Sequence, residues 1–522
     1  MEKDKPCIAI YDVRGIQNYI FKTNAVKEIV GASKIVDKLI INEFNSASIK
    51  VKEQKNINEN EMILNWDEQE DYVFDTNKNI KVEVLYYGGG NLVVLFRNEE
   101  LCKEISIEMS KNIIKNAYGL SLVYAYTEKR DNYQEDWKEL KTKLSEIKAV
   151  TALNKPAGII PIVRYDGITG KPLSMKYNGR MVTFEAYQKL KKAEEIANEK
   201  NVYIKQFDKM RTSEEEGLIA IVHIDGNSMG QSIREIMADS NTYLEAIRKM
   251  RKISKNIHET FEIKAIEGVK EKIPEICKKH DVKIKNNELP FRPIIQAGDD
   301  ITFVCNERIA LDIVKEYISI IRKGYMYSEK YTFSACAGIS IIHSHFPFFK
   351  GYQIAEECCE IAKKRAKNEG MVNGKIGNFV DFQYCYSGNT VDLEEARKRN
   401  YRNINEMNIL KRPYGIYDED ETLNELQKSF CINTFEEDLK MLKGISRGTA
   451  KAFRDAYYKD EGTIKTLFKR QTIKDNISYK DPFVKVGNEE YAEYFDSLEM
   501  LDIFGVKEEK INEKKIANRI EK

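Results

Sequence analysis

The chain has 522 residues, of which 42% are hydrophobic and 32% are charged, and its formal net charge at pH 7 is +1. This length allows three or four domains. The near-neutral charge argues against strong nonspecific binding to nucleic acids, although local basic stretches leave RNA binding open. The sequence has no apolar run of membrane-spanning length and no signal peptide at its start, so we expect a cytoplasmic protein without a membrane contact.

Residues 1–150 predict a first α+β domain. Its predicted elements are an apolar strand at 7–12 that ends in Asp12, a hairpin at 84–96 with Gly90 and Asn91 at its turn, a strand at 118–124 and an amphipathic helix at 134–150. Helix-like stretches lie between the strands. The order is therefore β-α-β-β-α-β, which is the ferredoxin-like arrangement.

Residues 216–385 repeat this order. The predicted elements are an apolar strand at 217–225 that ends in Asp225, a hairpin at 293–304, a strand at 331–339 and a charged helix at 351–367, with long charged helices inserted at 232–282. The fold class we expect is α+β, with two ferredoxin-like domains. The copies differ at the hairpin turn, where Gly90 and Asn91 replace Asp299 and Asp300. We therefore expect the second copy to carry the chemistry and the first to be degenerate.

Two segments lie outside the repeat. Residues 151–215 predict a linking segment with a helix at about 184–200, and the absence of cysteine from 154–177 argues against a four-cysteine zinc element there. Proline and glycine at 161–172 favour hairpins in that stretch. After about residue 386 the sequence loses strand character, so residues 386–522 predict a C-terminal helical domain.

Three carboxylates of the second copy predict a metal site. Gly298, Asp299 and Asp300 form the turn between two apolar runs, and adjacent carboxylates there raise each other's pKa unless a cation compensates. Mg²⁺ takes oxygen ligands from carboxylates and substrate phosphates. Asp225 ends a neighbouring strand, and the following Gly226 lets the backbone approach a ligand. Such a set suits two-metal nucleotidyl transfer, although an ordinary acidic turn is the alternative for the hairpin alone.

These residues together resemble a known family, the large subunit of type III CRISPR effector complexes, over roughly residues 1–385. The resemblance is carried by residues 11–21 with 31–33 and 88–91, which are similar to its first palm domain, and by 225–230, 298–300 and 334–364, which are similar to its second, active palm. More distantly, the second palm resembles the cyclase domains that make cyclic dinucleotides.

The resemblance implies a nucleotidyltransferase that uses Mg²⁺ or Mn²⁺ to join ATP into cyclic oligoadenylate messengers in antiviral defence. Asp225, Asp299 and Asp300 would hold the metals and carry catalysis. The residues implied in nucleotide binding are Gly226, Asn227, Gly298, Ser334, Lys363 and its neighbour Lys364. The implied partners are nucleoside triphosphates, other CRISPR effector subunits, and guide and target RNA, with the C-terminal helices docking small subunits.

The sequence departs from the family pattern at three places. Ala297 stands where the family has the first glycine of the hairpin, and its methyl group would narrow the nucleotide pocket. The family often carries an HD-type nuclease domain before the first palm, whereas this sequence starts with the palm. The one His-Asp dipeptide, His280-Asp281, predicts a surface loop. We therefore expect no DNA cleavage at an HD site, as in an HD-less member or a stand-alone relative. The zinc element between the palms is also missing.

Three alternatives stay open at this point. The chain is also consistent with a nucleotide-binding scaffold subunit that does not turn its ligand over, but three carboxylates without a metal would be a burden for it. A cyclic dinucleotide synthase would extend the hairpin as Gly-Gly-Asp-Glu-Phe, whereas Ile301 and Thr302 follow in this chain. A template-dependent polymerase ranks last, because no fingers or thumb are evident.

Overall fold

A computed structural model describes most of the chain. The described residues are 5–23, 25–68, 71–151, 162–197, 203–204, 207–210, 217–371, 376–385, 392–418, 421–475, 479–486 and 489–505. No helix within these ranges is long and apolar enough to cross a bilayer.

In chain order, the strands of the described residues are β1 (Cys7–Arg14), β2 (Met62–Ile63), β3 (Val82–Gly88), β4 (Asn91–Phe96), β5 (Ser121–Glu128), β6 (Leu173–Tyr177), β7 (Arg180–Thr183), β8 (Leu218–Gly226), β9 (Phe291–Ala297), β10 (Asp300–Cys305), β11 (Ala335–His343), β12 (Asn378–Tyr384), β13 (Tyr414–Ile416), β14 (Phe483–Val486) and β15 (Glu489–Ala492).

The helices are α1 (Ile16–Phe21), α2 (Val26–Val36), α3 (Leu39–Gln54), α4 (Glu99–Asn116), α5 (Tyr133–Val150), α6 (Phe184–Ala197), α7 (Met229–Met237), α8 (Tyr243–Ile257), α9 (Ala265–Lys279), α10 (Ala310–Ile321), α11 (Phe348–Asn368), α12 (Leu393–Asn400), α13 (Glu425–Ser429), α14 (Ile432–Leu442), α15 (Arg447–Tyr457), α16 (Glu461–Asp475) and α17 (Phe495–Phe504). The segment His258–Lys264 between α8 and α9 is π-helical.

The first sheet has the strand order β2-β3-β4-β1-β5. Its four longer strands, β3-β4-β1-β5, have the antiparallel order of a β-α-β-β-α-β unit. The central strand β1 is apolar from Cys7 to Tyr11, and this stretch is buried on both faces. Ala9 and Tyr11 point into one hydrophobic cluster, while Ile8 and Ile10 point into another.

The second sheet has the order β13-β12-β11-β8-β10-β9. Its strands β11-β8-β10-β9 repeat the antiparallel pattern, and β12 is added parallel to β11. The predicted fold class is confirmed: the chain has two ferredoxin-like domains, the predicted first and second palms, in an α+β structure with helices in its C-terminal part. The predicted starts of two strands were early, since β5 begins at Ser121 and β11 at Ala335.

The two palms share hydrophobic core. Ile219 and Ile221, on one face of β8, belong to the same cluster as Phe21 and Ile29 of the first palm, whereas the opposite face of β8 packs within the second palm. The ring of Phe21 lies 4.1 Å from that of Tyr352 on α11. The two palms therefore pack directly against each other through a shared hydrophobic core.

Two expectations from the sequence are corrected. The chain does not lose strand character after 386, because β13 extends the second sheet by pairing with β12, and β14 pairs with β15. His280 is buried rather than in a surface loop, since its Nε2 lies 2.6 Å from Asp312 Oδ2. The hairpin predicted for 161–172 has support within its described residues 162–172, where Tyr165 pairs antiparallel with Pro172, and β6 and β7 form a second hairpin directly after it.

Candidate active site

The second sheet brings the predicted acidic residues together. The register pairs Ile224 with Ile301, so that Asp225 lies beside the β9–β10 turn that carries Asp299 and Asp300. Gly298 turns the chain with a φ of +69°, a conformation that side chains with a Cβ rarely adopt. Two strand ends far apart in sequence thus converge at one edge.

Gly226 allows the Asp299 side chain to pack closely against the end of β8. A Cβ placed on Gly226 would lie 2.8 Å from Asp299 Oδ2, which is closer than real Cβ contacts. Burial, followed by the charge of Asp225, raises the pKa of Asp299 to about 6. The glycine therefore lets a carboxylate pack against the strand end where it is costly to ionise.

Asp300 is the most strongly perturbed carboxyl group of the set. Burial, followed by the charges of Asp225 and Asp299, raises its pKa to about 8. Although 33% of the side chain is exposed, Oδ1 is enclosed and has no hydrogen-bond partner among the described residues. His223 Nδ1 lies 3.3 Å away but is engaged by Thr302 Oγ1 at 3.1 Å. Burial lowers the pKa of His223 to about 4, so it supplies no positive charge at neutral pH.

Lys363 on α11 supplies a positively charged group to the site. Its Nζ binds Asp225 Oδ2. Burial by itself would lower the pKa of Lys363, but the Asp225 carboxylate outweighs it and the pKa is raised. The first palm has the same pair in the corresponding place, where Lys148 on α5 binds Asp12.

Lys364 is directed elsewhere. Its side chain is exposed, and its Nζ lies 2.7 Å from Glu394 Oε1 on α12. Successive residues of a helix point about 100° apart, so only one of two adjacent lysines can reach the acidic edge. The structure brings Lys363 there and leaves Lys364 outside.

Asn227 and Ser334 bind each other in this structure. The Asn227 backbone N–H donates to the Ser334 carbonyl at 2.8 Å, and its Nδ2 donates to Ser334 Oγ at 3.2 Å and to the Gly377 carbonyl at 3.0 Å. These bonds fasten the chain after β8 to the start of β11. Both residues therefore lie next to Asp225, where they support the backbone.

The donor set fits a divalent cation. Carboxylate oxygens are the ligands that Mg²⁺ and Mn²⁺ prefer, and the enclosed Asp300 Oδ1 is an acceptor with nothing to bind. In the described parts of the chain no three His, Cys, Asp or Glu side chains converge on one point, and Lys363 holds Asp225. Asp225, Asp299 and Asp300 could hold an ion together once Lys363 releases Asp225, with phosphate oxygens completing the shell.

A cleft of about 1360 Å³ opens between the palms beside this edge. Both tryptophans of the chain, Trp66 and Trp137, line it together with the Gly88–Asn91 turn, Gly298 and Asp299. Four lysines also line it, Lys38, Lys138, Lys141 and Lys255. Small-molecule pockets measure roughly 300–1,000 Å³, so the cleft has room for more than one nucleotide. The sequence analysis did not identify these two tryptophans as site residues. The one clue in the sequence was that the chain contains only two tryptophans.

Residues 218–371 match the family model described as Cas10/Cmr2, second palm domain. This chain carries a Cas10/Cmr2-type second palm. The resemblance to the large subunit of type III CRISPR complexes is thereby confirmed. No curated protein matches the sequence.

Solved structures support the fold. Similar structures include the Csm1-Csm4 cassette in complex with pppApA (12% identity, TM-score 0.54, covering 97% of this chain and 70% of that one), with pppApApA (12%, 0.53, 96% and 69%) and with cA4 (13%, 0.51, 88% and 63%). Across the similar structures this chain spans 54% to 70% of the solved chains' own length.

Proposed function

We propose that this chain is a metal-dependent nucleotidyltransferase that joins ATP into cyclic oligoadenylates in type III CRISPR-like antiviral defence. The observation that carries the proposal is the placement of Asp225, Asp299 and Asp300 along one edge, where one acceptor oxygen of Asp300 has no hydrogen-bond partner among the described residues and the pKa values of Asp299 and Asp300 are raised. A structural acidic turn would gain nothing from this arrangement, because buried unpaired carboxylates destabilise a fold.

The chemistry required is transfer of a nucleotidyl group. A 3′-hydroxyl oxygen of one nucleotide forms a bond to the α-phosphorus of another, the bond to the bridging oxygen breaks, pyrophosphate leaves and the hydroxyl proton passes to solvent. Mg²⁺ or Mn²⁺ held by the three aspartates would neutralise the phosphate charge that builds up. Lys363 would exchange Asp225 for a phosphate oxygen, since an ammonium group binds phosphate as a point charge.

The cleft supports an oligomeric product. It adjoins Asp299 and is lined by both palms, so an acceptor and a donor nucleotide can meet there. The fold is shared with Csm1 chains whose structures contain cA4, pppApA and pppApApA, and adenylate oligomers of this kind are the products we propose. Gly226, Asn227, Gly298 and Ser334 would shape the nucleotide side of the edge.

The same relatives support a proposal for the setting. We propose that the chain works in the cytoplasm with further subunits, because the similar chains occur as Csm1-Csm4 cassettes. We assign residues 1–150 to the first palm, 151–215 to a linking segment, 216–385 to the catalytic palm and 386–522 to a C-terminal domain. Guide and target RNA would be contacted through that assembly rather than by bulk charge.

The test is incubation of the pure protein with each α-labelled nucleoside triphosphate and Mg²⁺ or Mn²⁺, with the products identified by mass spectrometry. It is repeated with partner subunits and target RNA. We expect wild type to make cyclic or linear oligoadenylates, and Asp299→Ala/Asp300→Ala to make none. Asp239→Ala, at an exposed aspartate, is the matched control and should behave as wild type.

A second candidate is a scaffold subunit that binds a nucleotide without turning it over. The ion pair of Lys363 with Asp225 favours it, because that pair occupies one of the three carboxylates. Tight ATP binding with no product under any of these conditions would establish the scaffold and overturn the transferase.

A further inference from the structure

One uninterrupted helical run joins the two hairpins that line the cleft. It consists of α8, the π-helical segment His258–Lys264 and α9, so it covers residues 243–279. This run is inserted into the second palm between β8 and β9, yet it packs against β3 of the first palm. π-Helical turns are rare and are frequently found at functional sites.

The run is anchored to the first palm by Arg251. Its Nε donates to the Leu85 carbonyl at 2.7 Å, and its Nη2 lies 3.3 Å from both the Val84 carbonyl and Glu83 Oε1. Arg251 and Glu83 are almost fully buried. One turn further along, Ser254 packs against Gly88, so closely that a Cβ on Gly88 would lie 2.7 Å from its Oγ.

The same run is anchored to the second palm's hairpin by Glu262. The backbone N–H of Gly298 donates to Glu262 Oε1 at 2.8 Å, and Gln296 Nε2 donates to the Glu262 carbonyl at 3.2 Å. The other carboxylate oxygen, Oε2, lies 2.8 Å from His258 Nδ1. Behind the segment, Tyr317 donates its hydroxyl to the Phe261 carbonyl at 2.9 Å.

We propose that Glu262 is a positioning residue for the acidic hairpin. The Glu262 carboxylate accepts from the Gly298 amide and so fixes the peptide that leads directly into Asp299 and Asp300. Because Arg251 anchors the same helical run to β3, that peptide is also held to the first palm. The π-helical turn places Glu262 under the hairpin while α8 stays on β3. This inference rests on the proposed transferase for its kinetic consequence, but its structural consequence can be measured separately.

The bond explains why a carboxylate is used close to three others. A charged acceptor binds a backbone N–H more strongly than a neutral one does, and His258 Nδ1 holds the other carboxylate oxygen at 2.8 Å. The pKa of His258 is raised, first by its hydrogen bond to Glu262. The turn is thereby held rigidly, and rigid placement of catalytic groups matters because a displacement of about 1 Å can cost about 100-fold in rate.

The test compares Glu262→Ala with Glu262→Gln. Glutamine keeps an oxygen that accepts from Gly298, so we expect its turnover of ATP to stay within about threefold of wild type, whereas alanine should lower kcat by about tenfold or more with a smaller change in KM. Glu262→Met fills the space without an acceptor and replaces the alanine variant if that one does not fold. Glu267→Ala, at an exposed glutamate paired with Lys270, is the control on the same run.

The readout that does not depend on activity is hydrogen–deuterium exchange of the peptides covering 294–302 in the full chain. We expect faster exchange at this turn in Glu262→Ala and wild-type exchange in Glu262→Gln. Unchanged exchange and turnover in Glu262→Ala would overturn the inference, and so would a glutamine variant as impaired as alanine. If wild type makes no product, the proposed function fails, while the exchange experiment still decides the role of Glu262 in holding the turn.

Discussion

Gly298 faces Gly89 across the joint between the palms: a Cβ on Gly298 would lie 3.6 Å from the Cα and the N of Gly89. The tips of the two hairpins therefore meet, one acidic and one without carboxylates. Because they meet, the degenerate first palm is part of the wall of the site rather than a remote duplicate. The residues that hold this arrangement can each be tested by substitution.

Gly226→Ala tests the close approach of Asp299 to β8. The added methyl would lie 2.8 Å from both Asp299 Oδ2 and Met229 Cγ, so we expect Asp299 to be displaced and oligoadenylate synthesis to fall by about tenfold or more. Overpacking should cost about 1–3 kcal/mol in the free energy of unfolding. Gly230→Ala is the control, because its nearest neighbour is Arg234 Nη1 at 3.8 Å. Equal activity of the two variants would contradict the prediction.

Lys363→Met tests the ion pair with Asp225. Removing the ammonium frees a carboxylate, so Mn²⁺ binding without nucleotide, measured by electron paramagnetic resonance, should become tighter. The KM for ATP should instead rise by roughly tenfold, since a charge-assisted contact to phosphate is lost. Lys364→Met, one position along and paired with Glu394, should change neither quantity. Weaker Mn²⁺ binding in Lys363→Met would show that the lysine does not compete with the metal.

The stability of the metal-free protein should fall as pH rises. The pKa of Asp300 is about 8 and that of Asp299 about 6 in the folded chain, against an ordinary value of 3.8. The folded state thus keeps protons that the unfolded state releases, and this advantage is full below about pH 4 and is lost as pH rises towards 8. Melting temperatures in chelator between pH 5 and 8.5 should show this decline.

Asp300→Asn isolates the contribution of the hairpin to that decline. The variant should melt higher than wild type at pH 8.5 and differ less at pH 5. Asp438, whose pKa burial raises to about 7, contributes a slope of the same sign in both proteins, so the difference between them is the quantity to measure. Added Mg²⁺ should stabilise wild type more at pH 8.5 than at pH 6. Parallel profiles for the two proteins would be the opposite result.

Arg251→Met tests the buried joint between the palms. It leaves Glu83 buried without its cation, which should lower the free energy of unfolding by about 3–5 kcal/mol in urea titration. Adding Glu83→Gln should recover part of this, because glutamine can still accept from the Val73 N–H at 3.0 Å. Arg248→Met, one turn earlier on α8 and exposed beside Asp71, should cost less than about 1 kcal/mol. Equal costs for the two arginines would refute the role of the joint.

Much of this fold could be predicted because its signals are local. The strands β1 and β8 are buried on both faces, and that burial appears in the sequence as a mostly apolar run, interrupted in β8 by His223, that ends in Asp12 or Asp225. The turn with Gly298, Asp299 and Asp300 could also be predicted, because turn preferences depend on a few neighbouring residues. The C-terminal strands were missed because β13 has only three residues and gains its place by pairing with β12.

The amino-acid sequence by itself determined the two βαββαβ repeats and the positions of three carboxylates, since strand and turn preferences act between near neighbours in the chain. Only the tertiary structure decided what those carboxylates meet. In the folded chain Lys363 rather than Lys364 binds Asp225. Trp66 and Trp137 line one cleft, and Glu262 accepts a hydrogen bond from the Gly298 amide. These contacts join residues far apart in the chain, and their geometry depends on how helices pack on sheets, for which no local pattern in the sequence codes.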